Sequence, residues 1–245
     1  MPHKNFTFLT LLVTLQCLAQ AWACATPHEY AKRAEGEEVE YPWAEPGDEA
    51  PSDPTTVAYF MNHISINVRD MTESINWYRE AFGFRLLFNL HVSENFAIAY
   101  IGHAHGGRNG SGYQTSEEMN REKNNGEGLI ELIELKYPNW DLPSGLRVPN
   151  TLSHIGMVVP NSTVTHERLK AMGANILKAP GEVFVLNGWF SLGTGFDQAG
   201  DFLSPEEIDL ITESLIPINT PTLYTADPDG NVIEVQNQEA FIPSY

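Results

Sequence analysis

The chain has 245 residues and is 42% hydrophobic, enough to build a packed core, which excludes a wholly disordered protein. Its 14 Lys and Arg against 32 Asp and Glu give a net charge of −18. A surface this acidic repels phosphate backbones and anionic lipid, so neither nucleic acid nor a membrane face is expected as a partner. Cys17 and Cys24 are the only cysteines, which leaves no disulfide framework and no cysteine metal site; any metal must sit on His and carboxylate.

Residues 1–23 read as a secretory signal. Lys4 precedes a short apolar stretch, and Ala21-Trp22-Ala23 places small residues at the cleavage positions. The stretch is shorter than the roughly 20 residues that span a bilayer, so a secreted chain with no membrane segment after cleavage is expected. Residues 24–57 are acidic and Pro-rich, without apolar periodicity, and are expected to be disordered. Lys32-Arg33 inside them is a dibasic pair. Asn109-Gly-Ser and Asn161-Ser-Thr are glycosylation sequons, meaningful if the chain is exported.

Residues 58–240 contain a repeat. His63-Ile-Ser-Ile-Asn-Val68 and His154-Ile-Gly-Met-Val-Val159 both alternate as strands. Each is followed by a helical pattern, 71–82 after the cap Asp70 and 164–172 after Asn161 or Ser162. Each helix stops at a glycine, Gly83 or Gly173, suited to a left-handed cap. Strands are expected at 84–92, 96–101 and 129–136 in the first copy and at 176–178, 223–225 and 231–236 in the second.

Each copy closes on a strand with a glutamate, Glu134 and Glu234. The fold class is therefore α+β: two βαβββ modules, about 58–140 and 151–240, forming one curled mixed sheet around a metal-binding cavity. Two insertions interrupt the repeat. Residues 102–128 read as a polar, Gly-rich loop. Residues 180–220 carry Phe184, Trp189, Phe190 and Phe196 among glycines, then a short helix to about residue 215 opened by Ser204-Pro205-Glu206-Glu207. Trp189 and Phe190 are candidates for a substrate-contacting lid.

The segment from His63 through Trp77-Tyr78 to Gly83 resembles the N-terminal signature of glyoxalase I, a lactoylglutathione lyase of the vicinal oxygen chelate superfamily. Ile133-Glu134-Leu135, Ser153-His154 to Asn161, and Asp227-Pro-Asp-Gly-Asn-Val-Ile-Glu234 resemble three further segments of the same family in the same order. The resemblance spans about residues 60–240, with the insertions outside it. It implies one divalent metal ion, zinc or nickel first, with iron, cobalt or manganese as alternatives. It also implies His63, Glu134, His154 and Glu234 as ligands. Glu234 would be the general base, with Glu134 its partner across the substrate. Glu131, on the same strand, competes with Glu134. His91, His103, His105 and His166 lie outside the repeat register and read as surface or loop residues.

The resemblance weakens at the glutathione contacts. The family commonly has Arg where this chain has Asn67, and Asn where it has Pro138. A small-molecule substrate other than a glutathione adduct is therefore expected for a lyase or isomerase, and a homodimer is compatible. An extradiol-type dioxygenase using Fe(II) on His63, His154 and Glu234 is the runner-up. A non-enzymatic small-molecule binder of the same fold is the third reading.

Overall fold

The computed structural model describes residues 50–105, 112–137, 142–148, 151–198 and 202–238. The signal, both cysteines, Lys32-Arg33, most of the acidic segment and Asn109 lie outside the described residues.

In β1 (His63–Val68), Ile66 and Val68 are buried while His63, Ser65 and Asn67 take the other face, as the alternation requires. Helix α1 (Met71–Phe82) is capped by Asp70, whose side chain accepts from Glu73 N at 2.9 Å. It buries Met71, Ile75 and Tyr78 and stops at Gly83 with φ 74°, a conformation that costs a side-chain-bearing residue. Three strands follow: β2 (Arg85–His91), β3 (Phe96–Gly102) and β4 (Leu129–Leu135). Between β3 and β4 lies α2 (Ser116–Glu122), so part of the first insertion is helical rather than loop. Thr115 and Glu118 form a reciprocal capping box that starts it, a signal present in the sequence at Thr-x-x-Glu.

The second module repeats this plan with β5 (Ile155–Val159), α3 (Ser162–Ala171), β6 (Asn175–Lys178), β7 (Leu223–Ala226) and β8 (Val232–Asn237). Its insertion contributes two helices, α4 (Gly188–Thr194) and α5 (Pro205–Asn219). Ser204 caps α5 by accepting from Glu207 N at 3.1 Å. Asn161 caps α3 by accepting from Val164 N at 3.0 Å.

Hydrogen bonding divides the strands into two four-stranded sheets, ordered β1-β4-β3-β2 and β5-β8-β7-β6. The βαβββ modules are as expected, but the single continuous sheet is not: among the described residues β1 and β5 each pair on one edge only. In both sheets the first and last strands are parallel and the remaining pairs antiparallel. Both modules lie in one compact unit and share one apolar core, in which Val68, Tyr78 and Leu132 meet Leu169, Leu223 and Ile233. Burying each such aliphatic side chain contributes about 1.5–3 kcal/mol. No helix among the described residues is long and apolar enough to cross a membrane.

A polar clasp joins the modules at the turn before β8. Asp227 Oδ1 accepts from Asp229 N and Asn231 N at 3.0 and 2.8 Å, closing the turn on itself. Tyr78 donates to Asp227 Oδ2 at 2.9 Å, and the Arg69 guanidinium pairs with Asp229 Oδ1 at 2.9 Å. Burial raises the pKa of both aspartates above the ordinary carboxylate range, although Asn231, Tyr78 and Arg69 bond to their charged forms. Gly230 has φ 85°, and a Cβ there would stand 2.6 Å from Ser144 Oγ, so this position excludes a side chain on two grounds.

Candidate metal centre

Strand register decides which glutamate accompanies which histidine. Glu131 on β4 pairs with Ser65, and Glu234 on β8 pairs with Gly156; each partner is two residues past its module's histidine and on the same face. Nε2 of His63 is 3.9 Å from Glu131 Oε2, and Nε2 of His154 is 3.0 Å from Glu234 Oε2. The structure thus builds two repeat-related His–Glu pairs.

Glu134 is not part of the first pair, which corrects the expectation from the family segment. It pairs with Val68 at the far end of β4, on the opposite face from Glu131, and is 7% exposed. Its Oε1 accepts from Met71 N at 2.9 Å. A carboxylate there satisfies a free backbone donor and faces the positive end of the helix dipole. Glu134 accordingly supports the first turn of α1 beside its cap Asp70, and the carboxylate beside His63 is Glu131.

The His63 ring is oriented through its Nδ1. Asn62 gives its Nδ2 to the carbonyls of Lys123 and Gly126, which turns its Oδ1 toward His63 Nδ1 at 2.8 Å. Oδ1 can only accept, so Nδ1 is the donor and Nε2 is the ring nitrogen turned to the site. Nε2 lies 3.2 Å from the Tyr100 hydroxyl. The second pair is built differently. Tyr224 donates to Glu234 Oε1 at 2.9 Å, and His154 Nδ1 lies 3.2 Å from Ser153 Oγ. The hydrogen bond to Glu234 raises the His154 pKa, against burial. Burial works against the Glu234 charge but is outweighed by bonds from His154 and Tyr224, which hold the carboxyl below its usual range. Burial, then the neighbouring carboxylates, raise the pKa of both Tyr100 and Tyr224.

These two tyrosines were not among the expected site residues. They are repeat equivalents, Tyr100 pairing with Glu131 across β3–β4 and Tyr224 with Glu234 across β7–β8. A tyrosine on the third strand of each copy was the available signal.

His63 and His154 line one cavity of about 690 Å³, with Ile64, Phe84, Leu129, Ile155 and Met157. His103, read as a surface or loop residue, lies exposed in the loop after β3 and also borders this cavity, where partial desolvation lowers its pKa. The two pairs do not converge: among the described residues no three His, Cys, Asp or Glu stand close enough together to hold one ion. Imidazole nitrogens and carboxylate oxygens are donor types that suit a borderline divalent metal.

Helix α4 covers the second pair. The Trp189 ring lies 4.8 Å from that of Tyr224, and Phe190 packs edge-on against the fully buried Phe184 at 4.6 Å. The space left between α4, His154 and Tyr224 is about 10 Å³. That is room for about one water and no more.

Two copies of a βαβββ module, each with a His on its first strand or just before it and a Glu on its last, define a duplicated βαβββ fold with repeat-related His–Glu pairs. A family model for the Glyoxalase/Bleomycin resistance protein/Dioxygenase superfamily matches residues 60–235, and the chain belongs to that superfamily. The lactoylglutathione lyase of Pseudomonas aeruginosa is 25% identical over 142 residues, 55% of this chain and 77% of its own length. Among solved structures, the trypanothione-dependent glyoxalase I of Leishmania major is 15% identical over 74% of this chain and 88% of its own, with a TM-score of 0.42. Glyoxalase I of Zea mays is 21% identical with a TM-score of 0.41, over 75% of this chain and 46% of the maize chain.

Proposed function

We propose that this protein is a secreted, metal-dependent lyase or isomerase of the glyoxalase I type, moving a proton at the carbon beside a carbonyl in a small, partly apolar substrate. The observation that carries this reading is the repeated pairing of His63 with Glu131 and His154 with Glu234 on matching faces. These four residues would hold one divalent ion, zinc or nickel first, which when bound supplies Lewis-acid polarisation of the substrate carbonyl. Both histidines line one cavity, yet among the described residues the two pairs stand apart; a homodimer in which the first pair of one copy meets the second pair of the other would complete the set.

Glu234 is the leading base. Hydrogen bonds from His154 and Tyr224 keep its carboxylate ionised and oriented, ready to take the proton from the substrate carbon and return it. Glu131, in the equivalent position, is its counterpart. Trp189 and Phe190 bring apolar surface rather than cations beside the second pair, and Asn67 replaces a family arginine. Both favour an apolar substrate over the charged arms of a glutathione adduct.

The test is metal analysis of the purified protein, followed by a screen of 2-oxoaldehydes with and without glutathione. Near-stoichiometric metal, lost in His63→Ala and His154→Ala, with proton exchange at the substrate carbon, supports the reading. Full metal in the double variant overturns the centre. Oxygen uptake with a catechol in place of proton exchange overturns the reaction.

A further inference from the structure

Tyr224 lies between two acceptors. Its hydroxyl reaches Glu234 Oε1 at 2.9 Å and also meets Oδ1 of Asn219, the last residue of α5. A phenol carries one proton, so the two oxygens compete for it. Neither competitor can simply turn away. Asn219 is 5% exposed, and its Nδ2 donates to Leu215 O at 3.0 Å; flipping the amide would set its oxygen against that carbonyl. The end of α5 is held in turn by Lys178, buried on β6, whose ammonium donates to Thr220 O at 3.3 Å and Thr222 O at 3.0 Å. Trp189 packs on the Tyr224 ring from α4. The insertion therefore grips Tyr224 from two sides.

The matching tyrosine of module one is placed differently. Tyr100 stacks on Phe88 at 5.2 Å and its hydroxyl lies 3.2 Å from His63 Nε2 and beside Glu131, with no amide acceptor among the described residues. The tyrosines are equivalent by register, yet only Tyr224 is shared between a carboxylate and an amide.

We propose that Asn219 is a positioning residue for Glu234: it draws the Tyr224 proton partly off the carboxylate and so leaves Glu234 free to serve the metal centre. This rests on the reading of Glu234 as a member of that centre. The insertion peculiar to the second module would thereby set how tightly one of the two site carboxylates is tied down.

The experiment uses the full chain, metal-free, with 13C at the glutamate carboxyls; the Glu234 resonance is assigned by its loss in Glu234→Gln. Asn219→Leu should shift that resonance, because the Tyr224 hydroxyl then serves Glu234 alone. In a Tyr224→Phe background the same substitution should produce no shift. A resonance unmoved by Asn219→Leu, or moved equally in the Tyr224→Phe background, overturns the proposal. Asn219→Ala carries the same test if the leucine variant does not fold. Zinc titration adds a second readout: Asn219→Leu should weaken zinc binding about tenfold, the usual size of a change in the hydrogen bonding around a metal ligand, because the Tyr224 proton then competes undivided for Glu234; the substitution should have no effect once Tyr224 is phenylalanine. A wild-type chain that binds no zinc overturns the metal reading, while the carboxyl resonance still decides the role of Asn219.

Discussion

Glu131 and Glu234 occupy the same place in two copies of one fold, each facing across a parallel strand pair the residue two beyond its module's histidine. That equivalence makes Glu131 the carboxylate beside His63, because it depends on register rather than on the local run of letters around either glutamate.

Exchanging the two glutamates of β4 should therefore separate metal binding from stability. Glu131→Gln should weaken divalent-metal binding while leaving the melting temperature nearly unchanged. Glu134→Ala should keep the metal and destabilise the fold by about 0.5–2 kcal/mol, the usual effect of losing a side-chain acceptor at a helix start. Zinc titration and thermal unfolding of both variants check this; loss of metal in Glu134→Ala alone would restore it to the centre.

Shared sites can be complemented. His63→Ala and His154→Ala should each fail to hold the metal, yet mixing the two proteins should restore part of it, because a mixed dimer contains one intact set. Metal content after co-refolding is the measurement. No recovery, in a mixture shown by mass to contain the heterodimer, would place all four donors within one chain.

Two aromatic truncations in the second insertion should differ sharply. Phe184→Ala removes a side chain that is 1% exposed and should cost about 3–5 kcal/mol. Trp189→Ala, on the half-buried helix over Tyr224, should cost well under half of that and enlarge the space beside His154. Urea unfolding of both proteins decides it: an equal loss would make α4 part of the core and end its candidacy as a lid.

The clasp gives stability a sign in pH. Burial raises the pKa of Asp227 in the folded chain, so the native state holds its proton more tightly than the unfolded chain does. The associated stability is fully present below the unfolded value, about 3.9, and is lost as pH rises through the folded value. Asp227→Asn removes this dependence. The stability of the wild type relative to that variant should therefore fall as pH rises from about 3.5 toward neutrality. A gap that stays constant or widens would contradict the direction of the shift.

Export predicts a mature chain beginning at about residue 24. N-terminal sequencing of the protein from culture medium checks it, and an intact Met1 on protein retained in the cell would contradict it.

Much of the fold was legible because both modules obey the same two periods. The alternation at 63–68 and the cap-to-glycine span from Asp70 to Gly83 each leave a local trace. The candidate site was legible in part. His63, His154 and Glu234 stand out by position in the repeat, but Leu-Ile-Glu-Leu-Ile-Glu offers two glutamates, three residues apart. They face opposite sides of the sheet, and only pairing with β1 shows which side holds His63. Tyr100 and Tyr224 were missed because their roles arise across strands, where sequence distance carries no signal. The helix Ser116–Glu122 was missed inside a stretch whose glycine content outweighed a short capping box.

The joint between the modules has a direction. Tyr78 reaches Asp227, but α3 carries Leu169 at the position that Tyr78 holds in α1, and the segment before β4 has Asn124 where the segment before β8 has Asp227. Hydroxyl and carboxylate therefore survive on one side each, and neither half can make this contact with a second copy of itself. A lone first module would keep the Tyr78 ring on Trp77 and Phe84 but leave its hydroxyl without this carboxylate. The ancestral symmetry persists in the donor strands and has been broken at the seam, so the halves of this chain are no longer interchangeable parts.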